Sequence, residues 1–259
     1  MKYLNTLRLA DALDLMRLLP SSSVDFICTD PPYYTTQLAF DKGKKIDWSA
    51  WWKEANRVLK PAGMVCLFAS SVSTFEMYAT NPRNWRYNLI WEKTRYSRFL
   101  DANRRPLQGH EDILVFCRKP NQATYNPQKT KSDVPPRLYS PRRANRVAHY
   151  SGVGESRYND TGDRHPHTVL KFGGGDNAKY INKTQKPVDL IRWLIRSYTN
   201  PGDIVLDTCA GSATTAIACI DEHRNYICCD NDPAQIQLST HRIKTHAALP
   251  KDLTLDLRY

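Results

Sequence analysis

No stretch of the 259 residues approaches the roughly 20 consecutive apolar residues of a membrane-spanning helix. Met1-Lys2-Tyr3-Leu4-Asn5 does not begin a secretory signal, so the cytoplasm is the expected location. The seven cysteines, at 28, 66, 117, 209, 219, 228 and 229, form no Cys-x-x-Cys pair, and no histidine stands at zinc-finger spacing. That pattern argues against a metal site, and the apolar runs around most of them read as burial for inert thiols. None follows a proline. Acidic residues are in deficit, 26 against 37 Lys and Arg, leaving a net charge of +11. An acidic polymer is therefore the expected large partner, nucleic acid first. The 41% hydrophobic content is ample for one large α/β domain or for a core plus an insert.

Short β-like runs recur at 4–9, 24–28, 64–68, 88–91, 113–116, 204–206 and 226–229. Helical patterns alternate with them. Asp47 to Leu59 has an acidic start and apolar residues at helical spacing, ending before Lys60-Pro61-Ala62-Gly63. Pro187 to Tyr198 repeats the logic, with Leu190, Ile191, Leu194 and Ile195 on one face. The alternation predicts a mostly parallel, doubly wound sheet with ligands at the strands' carboxyl ends. Three segments are expected: 1–118, an irregular basic insert at 119–182 whose apolar runs are too short for core strands, and 183–259. Within the insert Arg137, Arg142, Arg143, Arg146, Arg157 and Arg164 are interleaved with Tyr139, Tyr150 and Tyr158. Cations beside aromatics suit phosphate contact and base stacking, although single charges in a solvated loop also need no partner.

The most informative run is Thr29-Asp30-Pro31-Pro32-Tyr33-Tyr34, directly after the apolar Val24 to Cys28. It sets a carboxylate, a rigid corner and an aromatic ring at a strand's carboxyl end. Asp30 and the Pro31 carbonyl can accept hydrogen bonds from one amino group, with Pro31 and Pro32 fixing the backbone. Tyr33 can stack on the ring that carries the amine, with Tyr34 a second candidate contact. A second turn lies at Asp207-Thr208-Cys209-Ala210-Gly211-Ser212, where Gly211 admits close approach of a ligand and a helix follows. About twenty residues later an apolar run ends in Asp230-Asn231, the placement from which a carboxylate grips ribose hydroxyls.

Together these motifs resemble the DNA amino-methyltransferases, in the permuted group where Asp-Pro-Pro-Tyr precedes the cofactor turn. Further matches, in order, are Asp11-Ala12-Leu13, Leu59-Lys60-Pro61-Ala62-Gly63, Ile90-Trp91-Glu92-Lys93, His110-Glu111-Asp112 and Thr184-Gln185-Lys186-Pro187. The resemblance implies a Rossmann-like S-adenosylmethionine-dependent fold: a seven-stranded, mostly parallel sheet with one antiparallel strand, plus a basic target-recognition insert. It implies S-adenosylmethionine lying across Asp207 to Ser212, with Asp230 and Asn231 at the ribose, Asp11 near the adenine, and Thr184, Gln185 and Lys186 near the methionine end. Asp30 would serve both catalysis and the cofactor side of the site. Double-stranded DNA and a homodimer are the partners it implies, in a bacterial or phage-infected cell.

Asp before Pro-Pro-Tyr favours adenine N6 over cytosine N4 in this family. The missing Pro-Cys pair speaks against methylation of cytosine carbon. Other readings are cytosine-N4 methylation, an RNA or protein amino-methyltransferase, and a DNA-binding relic of the fold without catalysis. Two departures stand out: Thr208-Cys209 replaces the family's Pro-Phe, and Ala213 stands where a second glycine is usual. Alanine tolerates positive φ poorly, so Ala213 is expected to have helical torsions already.

Overall fold

Asp11 fixes the first helix. Its carboxylate accepts the Leu13 amide at 2.8 Å, so strand β1 (Thr6–Leu9) gives way at once to α1 (Ala12–Leu18). The chain continues through β2 (Val24–Thr29), α2 (Trp48–Val58), β3 (Leu59–Ala69), α3 (Val72–Thr80), β4 (Trp85–Ser97) and β5 (Gln108–Cys117). Then come β6 (Thr130–Lys131), β7 (Asp163–Arg164), β8 (Val169–Phe172), α4 (Val188–Tyr198), β9 (Ile204–Asp207), α5 (Thr214–Asp221), β10 (Asn225–Asp230) and α6 (Pro233–Ala247). The computed structural model describes residues 1–35, 41, 43, 45–132, 162–173 and 184–248.

Eight strands form one sheet in the order β1-β10-β9-β2-β3-β5-β4-β8. All pairings are parallel except the two that β5 makes with β3 and β4. The single antiparallel strand matches expectation, and the eighth strand exceeds the expected seven. It is β8, which falls inside 119–182 and pairs Ile90 to Lys93 with Val169 to Phe172. Its apolar run is short because an edge strand needs only one buried side: Leu170 is buried while Val169 is exposed. The cluster of contacts that holds this sheet covers Met1–Asn126 and Thr168–Lys251. A second unit covers Pro127–His167 and Asp252–Tyr259, and in it β6 and β7 pair antiparallel, with Lys131 and Asp163 in an ion pair of 2.5 Å.

Helices cover both faces, which is why β2 reads as a continuous apolar run rather than an alternation. Phe26 and Cys28 face a core shared with Leu190, Leu194 and Tyr198 of α4. Ile27, on the opposite face, packs with Leu15 of α1 and Trp51 and Trp52 of α2. Trp91 and Phe116 are core residues, as their apolar surroundings predict. Six cysteines are buried and Cys209 is half-buried. Among the described residues, no helix is long and apolar enough to cross a membrane, and no group of three or more His, Cys, Asp or Glu is placed to hold a metal.

Candidate active site

The parallel strands deliver acids to one edge. Asp30 follows β2, Asp207 closes β9 and Asp230 closes β10, and Asp11 follows β1, whose Leu9 is in register with Asp230. The corner after β2 is held from below. Asp41, itself buried, accepts the Tyr33 and Tyr34 amides on one oxygen at 3.0 Å each and the Thr35 amide on the other at 3.2 Å. Those three bonds let Tyr34 keep φ at 55°, a torsion that a bulky residue holds only when its surroundings enforce it. The Pro31 carbonyl accepts no hydrogen bond among the described residues. The Asp30 side chain keeps 29% of its exposure, so the carboxylate faces an opening rather than the core.

Asp30 belongs to a charged network. Its Oδ1 accepts the Tyr33 hydroxyl at 2.7 Å, and its Oδ2 is 2.5 Å from Lys186 Nζ. Lys186 also reaches Glu111 at 3.2 Å, and Glu111 pairs with Lys93 at 2.5 Å. Two carboxylates and two ammonium groups thus balance in a largely buried space, the condition under which such charges are tolerated. Burial by itself would drive the Lys186 proton off, but Asp30 and Glu111 outweigh it and hold that pKa above the ordinary lysine value. Burial pushes Glu111 up, and Lys186 and Lys93 more than reverse this, leaving it below the usual carboxylate range. Asp30 is raised by burial, reinforced by Glu111 and opposed by Lys186. Burial, with the two carboxylates, also raises the Tyr33 phenol, which therefore stays a donor.

The second turn is built by a different set of contacts. Asp207 Oδ1 accepts the Cys209 amide at 3.1 Å and Oδ2 the Thr215 hydroxyl at 2.6 Å, and burial pushes its pKa up to about 6. Asp230 accepts the Gly211 amide at 2.8 Å and the Asp232 amide at 3.0 Å and remains partly exposed. Gly211 has φ +47°, and a Cβ built there meets nothing within 4 Å, so the space over the turn is open. From α6, the Ser239 hydroxyl donates to the Gly211 carbonyl at 2.6 Å and Arg242 to the Ser212 carbonyl at 2.7 Å. The expectation for Ala213 is corrected: it lies in the left-handed region at φ 58°, ψ 33°, as the cap of α5. The torsion follows from the turn, since the Ala213 amide donates to the Ala210 carbonyl at 2.7 Å while its own carbonyl must start the helix by accepting Ile217. Thr208 is buried, its hydroxyl 3.2 Å from that of Thr29 and 3.4 Å from the Trp51 indole nitrogen.

Asp30, Pro31, Pro32, Tyr33 and Lys186 are brought together, and Gln185 adjoins them with a buried Oε1 that has no hydrogen-bond partner among the described residues. Asp207 to Ser212 and Asp230 share the neighbouring turn, Asn231 is exposed beside it, Asp11 caps α1, and Thr184 is exposed. Lys186 is buried, and its link to Asp30 defines its place. Tyr34 is pinned, its hydroxyl accepting the Ile46 amide at 2.9 Å. Arg164 lies on β7, whereas Arg137, Arg142, Arg143, Arg146 and Arg157 fall outside the described residues. Motif reading gave Glu111, Lys93 and Asp41 no role in the site. The available signal was Glu111 itself, an acid within an apolar strand that has to be paired once buried.

A family model described as DNA methylase matches residues 24–241. The type II methyltransferase M.HpaI of Haemophilus parainfluenzae is 29% identical over 242 residues, covering 90% of this chain and 72% of its own length. The DNA adenine methyltransferase YhdJ of Escherichia coli is 26% identical over 248 residues, covering 90% of this chain and 80% of its own. Among solved structures, the M1.HpyAVI–SAM complex superposes with a TM-score of 0.62 at 23% identity, over 92% of this chain and 98% of that one. That likeness establishes the fold.

Proposed function

This chain belongs to the DNA methylase family, and from that premise we propose that it methylates the exocyclic N6 amine of adenine in double-stranded DNA, with S-adenosylmethionine as donor. The observation that carries the reading is Asp30, partly open at the end of β2, beside the Tyr33 ring and a Pro31 carbonyl that no described residue bonds. The N6 assignment rests on Asp in that position and on the resemblance to enzymes such as YhdJ.

The residues present fit this cofactor. Asp230 retains lone pairs for ribose hydroxyls, the space above Gly211 is open, and the orphaned Gln185 Oε1 suits an amino-acid ammonium. Lys186 would meet the methionine carboxylate, and Asp11 would stand near the adenine. Bound S-adenosylmethionine supplies the methyl group as a sulfonium electrophile.

This chain's residues prepare the acceptor. The amine is a poor nucleophile because its lone pair is delocalised into the ring. Asp30 and the Pro31 carbonyl, each accepting one N–H, turn the nitrogen toward tetrahedral geometry and localise that pair. Charge developing on nitrogen is then stabilised by Asp30 where it appears, and the surplus proton leaves after attack through Asp30 or water. Each Asp30 oxygen keeps a second lone pair despite Tyr33 and Lys186, so the amine need not break the network to bind. The amine is out of reach in a stacked duplex, so the nucleotide must be flipped out, at a cost of about a few kcal/mol offset by stacking and phosphate contacts. We assign target recognition to 119–182, location to the cytoplasm, and assembly to a homodimer.

The test is nucleoside mass spectrometry on unmethylated DNA incubated with S-adenosylmethionine and the wild type, Asp30→Ala or Asp30→Asn. N6-methyldeoxyadenosine from the wild type alone, with S-adenosylhomocysteine binding retained in the variants by calorimetry, is the expected result. N4-methyldeoxycytidine would move the target to cytosine. Turnover near the wild-type rate in either variant would sink the mechanism.

A further inference from the structure

The hairpin of β4 and β5 extends past the strands on either side of it. Register carries the level of Thr29 through Leu67 and Leu114 to Asn88. Past that level β3 continues to Ala69, opposite Asp112, and β8 follows β4 as far as Lys93; beyond them β4 runs on to Ser97 and β5 begins at Gln108, four residues before Asp112. Four residues at about 3.3 Å each make an arm of about 13 Å past the end of β3, braced where Gln108 bonds Ser70 and Arg98 bonds Ser71. Because β4 is parallel to β2, the arm rises from the edge that carries Asp30, three strand spacings away, or about 14 Å.

Its tip exposes two apolar side chains. Phe99 is 68% exposed and Leu100 fully exposed, on a single tight turn, Phe99–Asp101. The Ala102 amide donates to the Phe99 carbonyl at 3.2 Å, Arg105 pairs with Asp101 at 2.6 Å, and Arg98 holds the Gln108 side chain at 2.6 Å. The exposed guanidinium groups of Arg95 and Arg104 have no partner among the described residues. From 93 to 105 the chain has five Lys and Arg against one acid. Two apolar side chains between unpaired cations, on a narrow projection, match two phosphate rails with a base stack between them. A second copy of this chain, itself carrying +11, is a poor match for that charge.

We propose that this arm is a wedge that inserts into duplex DNA. Arg95 and Arg104 contact phosphates while Phe99 and Leu100 enter the stack beside the nucleotide extruded toward Asp30, as apolar wedges do when they unstack a base step. The inference rests on the reading of this chain as a duplex DNA methyltransferase and identifies the element that opens the duplex.

Two measurements test it. In the first, F99A/L100A and wild type methylate unmethylated genomic DNA, either duplex or heat-denatured. The double variant should lose about 10- to 100-fold on duplex, the range that losing one or two stacking contacts implies, and keep wild-type turnover on separated strands. Equal losses on both substrates, or no loss on duplex, overturn the wedge. In the second, Phe99→Trp is titrated with duplex DNA and with heparin. Quenching by DNA and not by heparin is expected, since only DNA offers bases to stack. Unmoved emission while DNA binds overturns the proposal, and this measurement decides alone where the wild type is inactive on separated strands. If the wild type methylates no DNA, the proposed function fails, and the fluorescence titration still decides the wedge.

Discussion

Replacing Asp207 by asparagine should stabilise the folded chain at neutral pH. Asp207 is buried, and its carboxyl is pushed up to about 6 from an ordinary value of 3.8. The folded state therefore binds this proton more tightly than the unfolded state does. Stability from this group is greatest below about pH 4, falls as pH rises through the window between the two values, and is lowest above about 6. At about 1.36 kcal/mol for each pH unit of difference, the ionised side chain costs the fold roughly 3 kcal/mol at pH 8 and roughly half of that at pH 5. Asparagine keeps an oxygen for the Cys209 amide and presents a donor to the Thr215 hydroxyl, which can turn to accept. Urea melts of both proteins at pH 5, 6, 7 and 8 should show Asp207→Asn the more stable, by a margin that widens with pH and levels off above about 7. A variant less stable than wild type, or a margin that does not change with pH, would refute the reasoning.

Lys186→Met should leave two largely buried carboxylates facing each other, at a cost of about 3–5 kcal/mol in denaturant melts. Adding Glu111→Gln should recover part of that loss, and strict additivity in the double-mutant cycle would show that the network is not coupled. Gly63→Ala and Gly211→Ala should differ in kind. A Cβ at 63 comes within 2.8 Å of the Asp25 carbonyl and 2.6 Å of Leu59, so about 1–3 kcal/mol of overpacking is expected. At Gly211 the space is open and only the torsion resists, for about 1–2 kcal/mol. Gly63→Ala should cost more, and thermal melts that show Gly211→Ala the more destabilising would count against this account.

The sequence by itself determined the features whose causes are local. Asp47, whose carboxylate accepts the Ala50 amide at 3.0 Å, announced the start of α2, and apolar periodicity announced α4. The run from Val24 into Asp30-Pro31-Pro32-Tyr33 already described a buried strand ending in a rigid, carboxylate-bearing corner, and the turn at Gly211 with Asp230 described a second site beside it. Each is legible because torsional limits and side-chain spacing act within a few residues. The left-handed Ala213 was not legible, because the turn's hydrogen bonds and the contacts from α6 override alanine's own preference. Strand β8 was missed because an edge strand buries too little to leave a pattern.

Only the tertiary structure decided how Asp30 is held. Lys186 lies 156 positions away in the chain, and Glu111 comes from the one antiparallel strand. Nothing in a local window says that a lysine before α4 will meet a carboxylate after β2. That meeting depends on the order of strands in the sheet, and so does the placing of the β4–β5 hairpin's end at the same edge. Local sequence chose the groups, and long-range packing set their distances. Because a hydrogen bond weakens steeply past its ordinary length and burial strengthens the attraction between paired charges, the distances determine what those groups can do.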